Sequence, residues 1–317
     1  MADKQQVSER ERRKRRLRRQ RLVAAIAVAL LALAGSLGLV LFLLAGDDSS
    51  SPAPTRSVQT ISAKKIVAKP KPVVAKPWAA ALAAAINKAA HLGETAALDR
   101  FAARGKPVYC GGSSGRYVAL TFDDGPGAYT PRTLRILHKR HLRATFFLIG
   151  GNVPSRPTLA QVELKDYAAL GVHAWVHKSL DRRSQAKIRN QIVWTKNAIA
   201  RATGEEARLF RPPYGARNAR VDKVARRLGM VEVLWSIDSG DSQGKNWRQV
   251  GREVLRNVQP GSIVLMHDNR GQTVRALRRL ILPGLAKRGL IPVTVPELLM
   301  LDPPVGPSSR CWINWRG

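Results

Sequence analysis

The chain has 317 residues, enough for one large domain or two ordinary ones, and carries 54 Lys and Arg against 22 Asp and Glu, a formal charge of +32. A basic balance of that size points to anionic partners, and the position of the charge decides which. Its densest block, residues 1–21, abuts an apolar run, which favours a membrane reading of the basic tail over a nucleic-acid one.

Residues 1–21 hold ten Lys or Arg and three acidic residues, and residues 22–45 then run for 24 residues without a charge. That length spans a bilayer as a helix. The positive flank predicts a cytoplasmic N-terminus, a single-pass anchor in the cell membrane and an extracytoplasmic remainder. A cleaved signal peptide is the competing reading, but its apolar core is usually about 7 to 15 residues and ends at a small-x-small site. Here the run is longer and passes straight into Gly46-Asp47-Asp48, which favours an uncleaved anchor. Subtracting the tail's +7 from +32 leaves +25 on the exported part. Acidic wall polymers or lipid headgroups suit that charge, and so does an Arg-rich composition with no dedicated ligand.

Residues 46–77, rich in Ser, Pro, Ala and Lys, read as an extended, solvated linker. In 78–104, an Ala-rich stretch, Leu82, Ile86, Ala89 and Ala90 recur at helical spacing before Gly93 interrupts them, which predicts one or two short helices. The two cysteines, Cys110 and Cys311, flank the remaining domain, 110–311. In an oxidising compartment they are expected to join its ends, with free thiols as the alternative.

From residue 116 short apolar runs alternate with amphipathic stretches. The strands are expected at 117–122, 144–149, 172–176, 208–210, 231–237, 263–266 and 291–295. Helices are expected at 131–141, 184–203, 219–228, 246–258 and 273–287. Ser184 and Gly204 suit the cap and stop of the second helix, with Ile188, Ile192 and Ile199 on its buried face. Such alternation implies an α/β fold with a parallel sheet or barrel, whose chemistry gathers where strands end.

The polar residues at those strand ends form a pattern. Thr121-Phe122-Asp123-Asp124-Gly125-Pro126 places two adjacent carboxylates after the first strand, where a low-dielectric core tolerates them only with a compensating cation or hydrogen bonds. Alone, Asp-Asp-Gly is usually a turn. His173 and His177 are spaced to aim two imidazoles at one ion, and with Asp124 they make a three-ligand set that leaves positions open for water. Arg211-Pro212-Pro213-Tyr214-Gly215 follows an apolar strand with its backbone fixed by two prolines. Asp238-Ser239-Gly240-Asp241 and Leu265-Met266-His267 again place polar groups just past or within apolar runs.

In this order the motifs resemble the polysaccharide deacetylase family, the NodB-homology domain of carbohydrate esterase family 4, over a core of about 116–299. The resemblance implies a distorted (β/α)7 barrel, here preceded by the transmembrane helix and linker read above from the N-terminal sequence. It implies that Asp124, His173 and His177 bind a divalent metal, zinc first, with cobalt, manganese or nickel as alternatives. Asp123 would be the general base that activates the attacking water, and Arg211 would orient it. His267 would protonate the leaving amine, held and tuned by Asp241. The Tyr214 N–H would help hold the oxyanion, and Leu265 would line the acetyl pocket. The implied reaction is removal of N-acetyl groups from an extracytoplasmic glycan, with peptidoglycan N-acetylglucosamine leading and chitin-like oligomers open. The alternatives are an O-acetyl esterase of the xylan type and a catalytically impaired wall-binding protein that keeps the fold.

Four departures bear on the site. Val172 and Ala174 stand where the family usually has Asn and Thr or Ser, and Lys178 replaces a usual Pro, so loop hydrogen bonds should be missing and a cation added near the metal. Ser242 replaces an aromatic, which leaves one groove wall absent or supplied by Trp247.

Overall fold

The computed structural model describes residues 93–160 and 168–304. The basic tail, the anchor expected at 22–45, the expected linker, residues 78–92 and Cys311 lie outside them. Among the described residues no helix is long and apolar enough to cross a membrane.

The first helix, α1 (Glu94–Arg104), lies between glycines in the left-handed region, Gly93 and Gly105, and buries Ala97, Leu98, Phe101 and Ala102. It lies after Gly93 within the 78–104 stretch, whose residues at helical spacing, Leu82, Ile86, Ala89 and Ala90, are outside the described residues. Eight parallel strands follow: β1 (Tyr117–Gly125), β2 (Ala144–Leu148), β3 (Ala168–Val172), β4 (Leu209–Phe210), β5 (Val231–Glu232), β6 (Ile237–Asp238), β7 (Ile263–His267) and β8 (Ile291–Val293). Their order is β5-β4-β3-β2-β1-β7-β6, with β8 paired to the start of β1. The central strands are apolar on both faces, as a parallel sheet covered by helices requires.

Between the strands lie α2 (Thr130–His138), α3 (Gln185–Thr203), α4 (Ala219–Arg227), α5 (Trp247–Asn257), α6 (Gly271–Ala276) and α7 (Leu282–Lys287), and α8 (Val295–Leu301) follows β8. Ser184 caps α3 by accepting from Lys187 N–H, Gly204 ends it at φ 73°, and Ile188, Ile192 and Ile199 are buried on it, as the sequence predicts. Asn218 and Asn246 cap α4 and α5 in the same way. A π-helical turn, Leu277–Ile281, joins α6 to α7, so the single helix expected at 273–287 is continuous but carries an internal register change.

Three expectations need correction. The third strand lies at Ala168–Val172 rather than 172–176, because Ala174 takes a left-handed φ of 61° that stops extended pairing. Its sequence, Ala-Ala-Leu-Gly-Val, is poor in β-branched residues, and Gly171 is there because a Cβ would come within 2.5 Å of the Phe147 ring. The strand expected at 231–237 is two strands. The carbonyls of Val233 and Leu234 turn to accept from the Arg211 guanidinium and leave the ladder. Finally, β5 and β6 do not pair with each other, so the sheet is a curled half-barrel and not a closed (β/α)7 barrel. Val108 bridges to Val233 and Cys110 to Ser262, which covers part of the gap. Cys110 is buried, and its expected partner Cys311 is outside the described residues.

Candidate active site

All strands point their C-terminal ends the same way, so Asp123, His173, Arg211 and His267 arrive at one end of the sheet from β1, β3, β4 and β7. In a strand, successive side chains point to opposite faces, which would send Asp123 and Asp124 apart. A bulge solves this: the β1–β2 register shifts between Asp123 and Gly125, and Asp124 adopts φ 74°. Both carboxylates then face one cluster. Asp and Asn tolerate this backbone region far better than other non-glycine residues.

Asp124, His173 and His177 bring one ligand atom each to within 4.8 Å of one another. Asp124 Oδ1 lies 3.7 Å from His173 Nε2 and 3.5 Å from His177 Nε2. That oxygen is buried and accepts no hydrogen bond from the protein, which is the state a cation would relieve. His173 Nδ1 is 2.8 Å from the Arg211 carbonyl. A carbonyl only accepts, so Nδ1 carries the proton and Nε2 presents its lone pair to the cluster. Burial pushes the His173 pKa down, against the pull of Asp123 and Asp124, and favours the neutral ring a ligand needs. The His177 ring meets Tyr214 edge-on at 4.4 Å. The donor set therefore fits a borderline divalent ion with open positions, zinc among them.

Asp123 is buried, and its Oδ1 accepts from Arg211 Nη1 at 2.7 Å. Arg211 is fully buried and also donates to Thr121 Oγ1 and to the carbonyls of Val233 and Leu234, while its guanidinium stacks 4.1 Å from the Phe147 ring centre. Burial opposes its charge, and Asp123 supplies the compensating anion. Asp123 is thus fixed in position with Oδ2 free toward His173, 3.7 Å away.

His267 is set by Asp241, whose Oδ1 lies 2.7 Å from Nδ1 and whose Oδ2 accepts from His267 N–H at 2.7 Å and from Thr273 Oγ1 at 2.5 Å. Burial disfavours the imidazolium, but the hydrogen bond and charge of Asp241, with Asp123 and Asp124 behind it, raise its pKa to about 9. Burial likewise resists the Asp241 carboxylate, yet His267 and Thr273 hold its pKa below the usual value. Leu265 precedes His267 by two residues on the same strand face, is 5% exposed and stands outside the continuous apolar core, as a pocket wall would. Tyr214 sits at φ 62° in a turn after Pro213, with 68% of its surface exposed.

Several supporting residues were not visible in the sequence. Gln191, on α3, accepts from both Trp175 N–H and Val176 N–H, and Gly150 and Gly151 donate to the carbonyls of Ala174 and Trp175. These bonds hold the loop between the two histidines in spite of Val172 and Ala174. Asn152 and Asn269 donate to Asp124, and buried Asp268 accepts from Thr130 Oγ1. Burial and the neighbouring Asp124 and Asp123 raise the Asp268 pKa to about 7. Asn269 follows the His267 motif directly, but Gln191 lies on an amphipathic helix with no motif to mark it. The guanidiniums of Arg248 and Arg275 lie over the Trp247 ring, 4.5 and 4.7 Å from its centre, and Ser242 is exposed.

This arrangement can hold a dication, a fixed carboxylate base and a charged imidazole acid around one point, the equipment for hydrolysing an acyl bond. Residues 111–233 match a family described as Polysaccharide deacetylase. A peptidoglycan-N-acetylglucosamine deacetylase of Listeria monocytogenes is 38% identical over 182 residues, 57% of this chain and 38% of the relative. The chain thus spans well under half the length of that relative. A peptidoglycan-N-acetylglucosamine deacetylase of Bacillus cereus is 40% identical over 190 residues, 58% of this chain and 88% of the relative. Among solved structures, a CE4 family pseudoenzyme from Bacillus anthracis is 32% identical with a TM-score of 0.59, over 62% of this chain and 69% of that one.

Proposed function

This chain belongs to the polysaccharide deacetylase family, and on that premise we propose that it removes N-acetyl groups from N-acetylglucosamine in peptidoglycan, as a metal-dependent hydrolase anchored in the membrane by residues 22–45 with its catalytic domain outside the cytoplasm. The observation that carries the activity is the three-ligand cluster set beside a buried Asp123–Arg211 pair and a buried His267–Asp241 pair. The substrate rests on the relatives from Listeria and Bacillus cereus, and the location on the basic tail and the uncharged run.

A divalent ion held by Asp124, His173 and His177 would polarise the acetyl carbonyl and make water acidic enough to ionise near neutral pH. Asp123, oriented by Arg211, takes the proton of the attacking water. The Tyr214 N–H, presented by its left-handed turn, donates to the oxygen that gains charge as the carbonyl carbon becomes tetrahedral. His267 then gives its proton to the amine nitrogen as the C–N bond breaks, leaving acetate and the free amino sugar. Leu265 lines the space for the methyl group.

The pH response follows from His267. As an acid it works only when protonated, so activity falls as pH rises through its pKa. A dication on Asp124 cancels part of the carboxylate field, so in the loaded enzyme this limb lies below about 9. In Asp241→Asn the ion pair is gone, and the alkaline limb should move down by roughly one to two pH units, read from kcat/KM against pH. An unmoved limb would take the acid role from His267.

A second reading is a wall-binding protein without catalysis, favoured by the likeness to the Bacillus anthracis pseudoenzyme. Incubating the full-length chain in detergent with N-acetylglucosamine oligomers and with purified wall, in Zn²⁺, Co²⁺, Mn²⁺ or Ni²⁺, decides between them. Acetate release supports the deacetylase. Wall binding with no acetate from any glycan supports the binding protein.

A further inference from the structure

Beyond the catalytic cluster, the loop that carries His177 continues into a groove of about 220 Å³ between that loop and α3. Val176 and Trp194, 41% and 48% exposed, form its apolar surface. They are two of only four large hydrophobic residues exposed among the described residues, and a third, Tyr214, packs on His177. Trp194 is held upright by an edge-on contact with the Trp175 ring at 6.3 Å, and Gln191 fixes the backbone of Trp175 and Val176 below it. A stiff, exposed indole beside a hydrolytic site is a stacking face for a sugar ring.

The rim has one sign of charge. Lys178, Arg183 and Lys187 line the groove and no carboxylate does. The nearest acid in sequence, Asp181, accepts from Ser179 Oγ at 2.5 Å. None of the three cations has an ion-pair partner among the described residues, whereas Lys196, one turn beyond Gln191 on the same helix, is paired with Glu206. Three unpaired cations around an aromatic surface call for an anion on whatever stacks there.

We propose that this groove is a subsite for a glycan strand whose sugars bear carboxylates, so that the enzyme prefers acidic acetylated glycan to neutral oligomers of N-acetylglucosamine. This rests on the deacetylase reading and narrows its substrate. Trp194 would stack on a sugar ring one or more positions from the one that reacts, and Lys178, Arg183 and Lys187 would meet its carboxylate. Lys178, which replaces a usual Pro after His177, then serves the substrate and not the metal.

The test uses the full-length chain, metal-loaded, with two substrates: peptidoglycan glycan strands freed of their stem peptides, so that the muramic carboxylates are exposed and charged, and neutral N-acetylglucosamine oligomers. Binding by calorimetry and acetate release are measured side by side. Wild type should bind the acidic strand more tightly at low ionic strength, and the preference should fade as salt rises past about 0.1 M, where screening reaches ~10 Å. In K178A/R183A/K187A the Kd and KM for the acidic strand should rise roughly tenfold, about three surface-pair contributions, and the preference should collapse, while K178R/K187R keeps it. Trp194→Ala should weaken both substrates. A preference that survives in the triple alanine variant, or that salt does not touch, overturns the proposal. Preferential binding without acetate release leaves the groove standing and removes the deacetylase reading. Acetate release without preference does the reverse.

Discussion

Replacing Arg211 by Met destabilises the domain by about 3–5 kcal/mol and abolishes activity, the largest effect expected of any single exchange in this site. The guanidinium is fully buried, and it compensates the only charge on Asp123 while donating to Thr121 and to two carbonyls that have left the sheet. Met fills much of the same volume but leaves a carboxylate in a low-dielectric interior without a partner. The denaturant midpoint should therefore fall steeply, with acetate release below detection. Adding Asp123→Asn to the same chain removes the stranded charge. The double variant should recover part of the stability and none of the activity. If it is no more stable than R211M alone, the loss belongs to the carbonyls of Val233 and Leu234 and not to the ion pair.

The second large effect separates the metal from the acid. In His173→Ala one of the three proposed ligands is gone, along with the bond from Nδ1 to Arg211 that aims it. Metal content by elemental analysis should fall, and excess metal should restore activity only in part. In His267→Ala the ligands are intact, so the metal stays, and turnover should slow by roughly 10²- to 10⁴-fold. An ester releases an alcohol or phenol that needs a proton less than an amine does. The His267 variant should then keep proportionally more activity on an aryl acetate than on an acetamido sugar. Equal metal loss in both variants would make His267 a ligand and end its role as acid.

Much of the site was legible because its parts are short and adjacent in sequence. Asp123 with Asp124, His173 with His177, and Leu265 with His267 each stand at or just past a strand end, and the structure brings all of them together with Arg211 and Asp241. What escaped reading depends on contacts between distant segments. The break between β5 and β6 at Val233 and Leu234 follows from Arg211, more than 20 positions earlier. Gln191 reaches the histidine loop from a helix whose pattern reports only its own buried face. The shift of β3 reflects weak local preference overridden by pairing with β2 and by the Phe147 ring. α8, by contrast, was there to be read: Thr294 and Glu297 form a capping box, the Ser/Thr-x-x-Glu signature of a helix start.

The bulge at Asp124 narrows what evolution or an engineer can place there. Its left-handed φ of 74° admits Gly, Asn, Asp and, less readily, His. The ligand position, if it is to stay anionic, admits Asp, Glu or a cysteine thiolate. Only aspartate belongs to both sets. Glutamate, the exchange usually thought mildest, would keep the charge and strain the chain, whereas asparagine would keep the chain and discard the charge. Comparing the two variants would therefore separate a fault in the backbone from a fault in the ligand at a single codon.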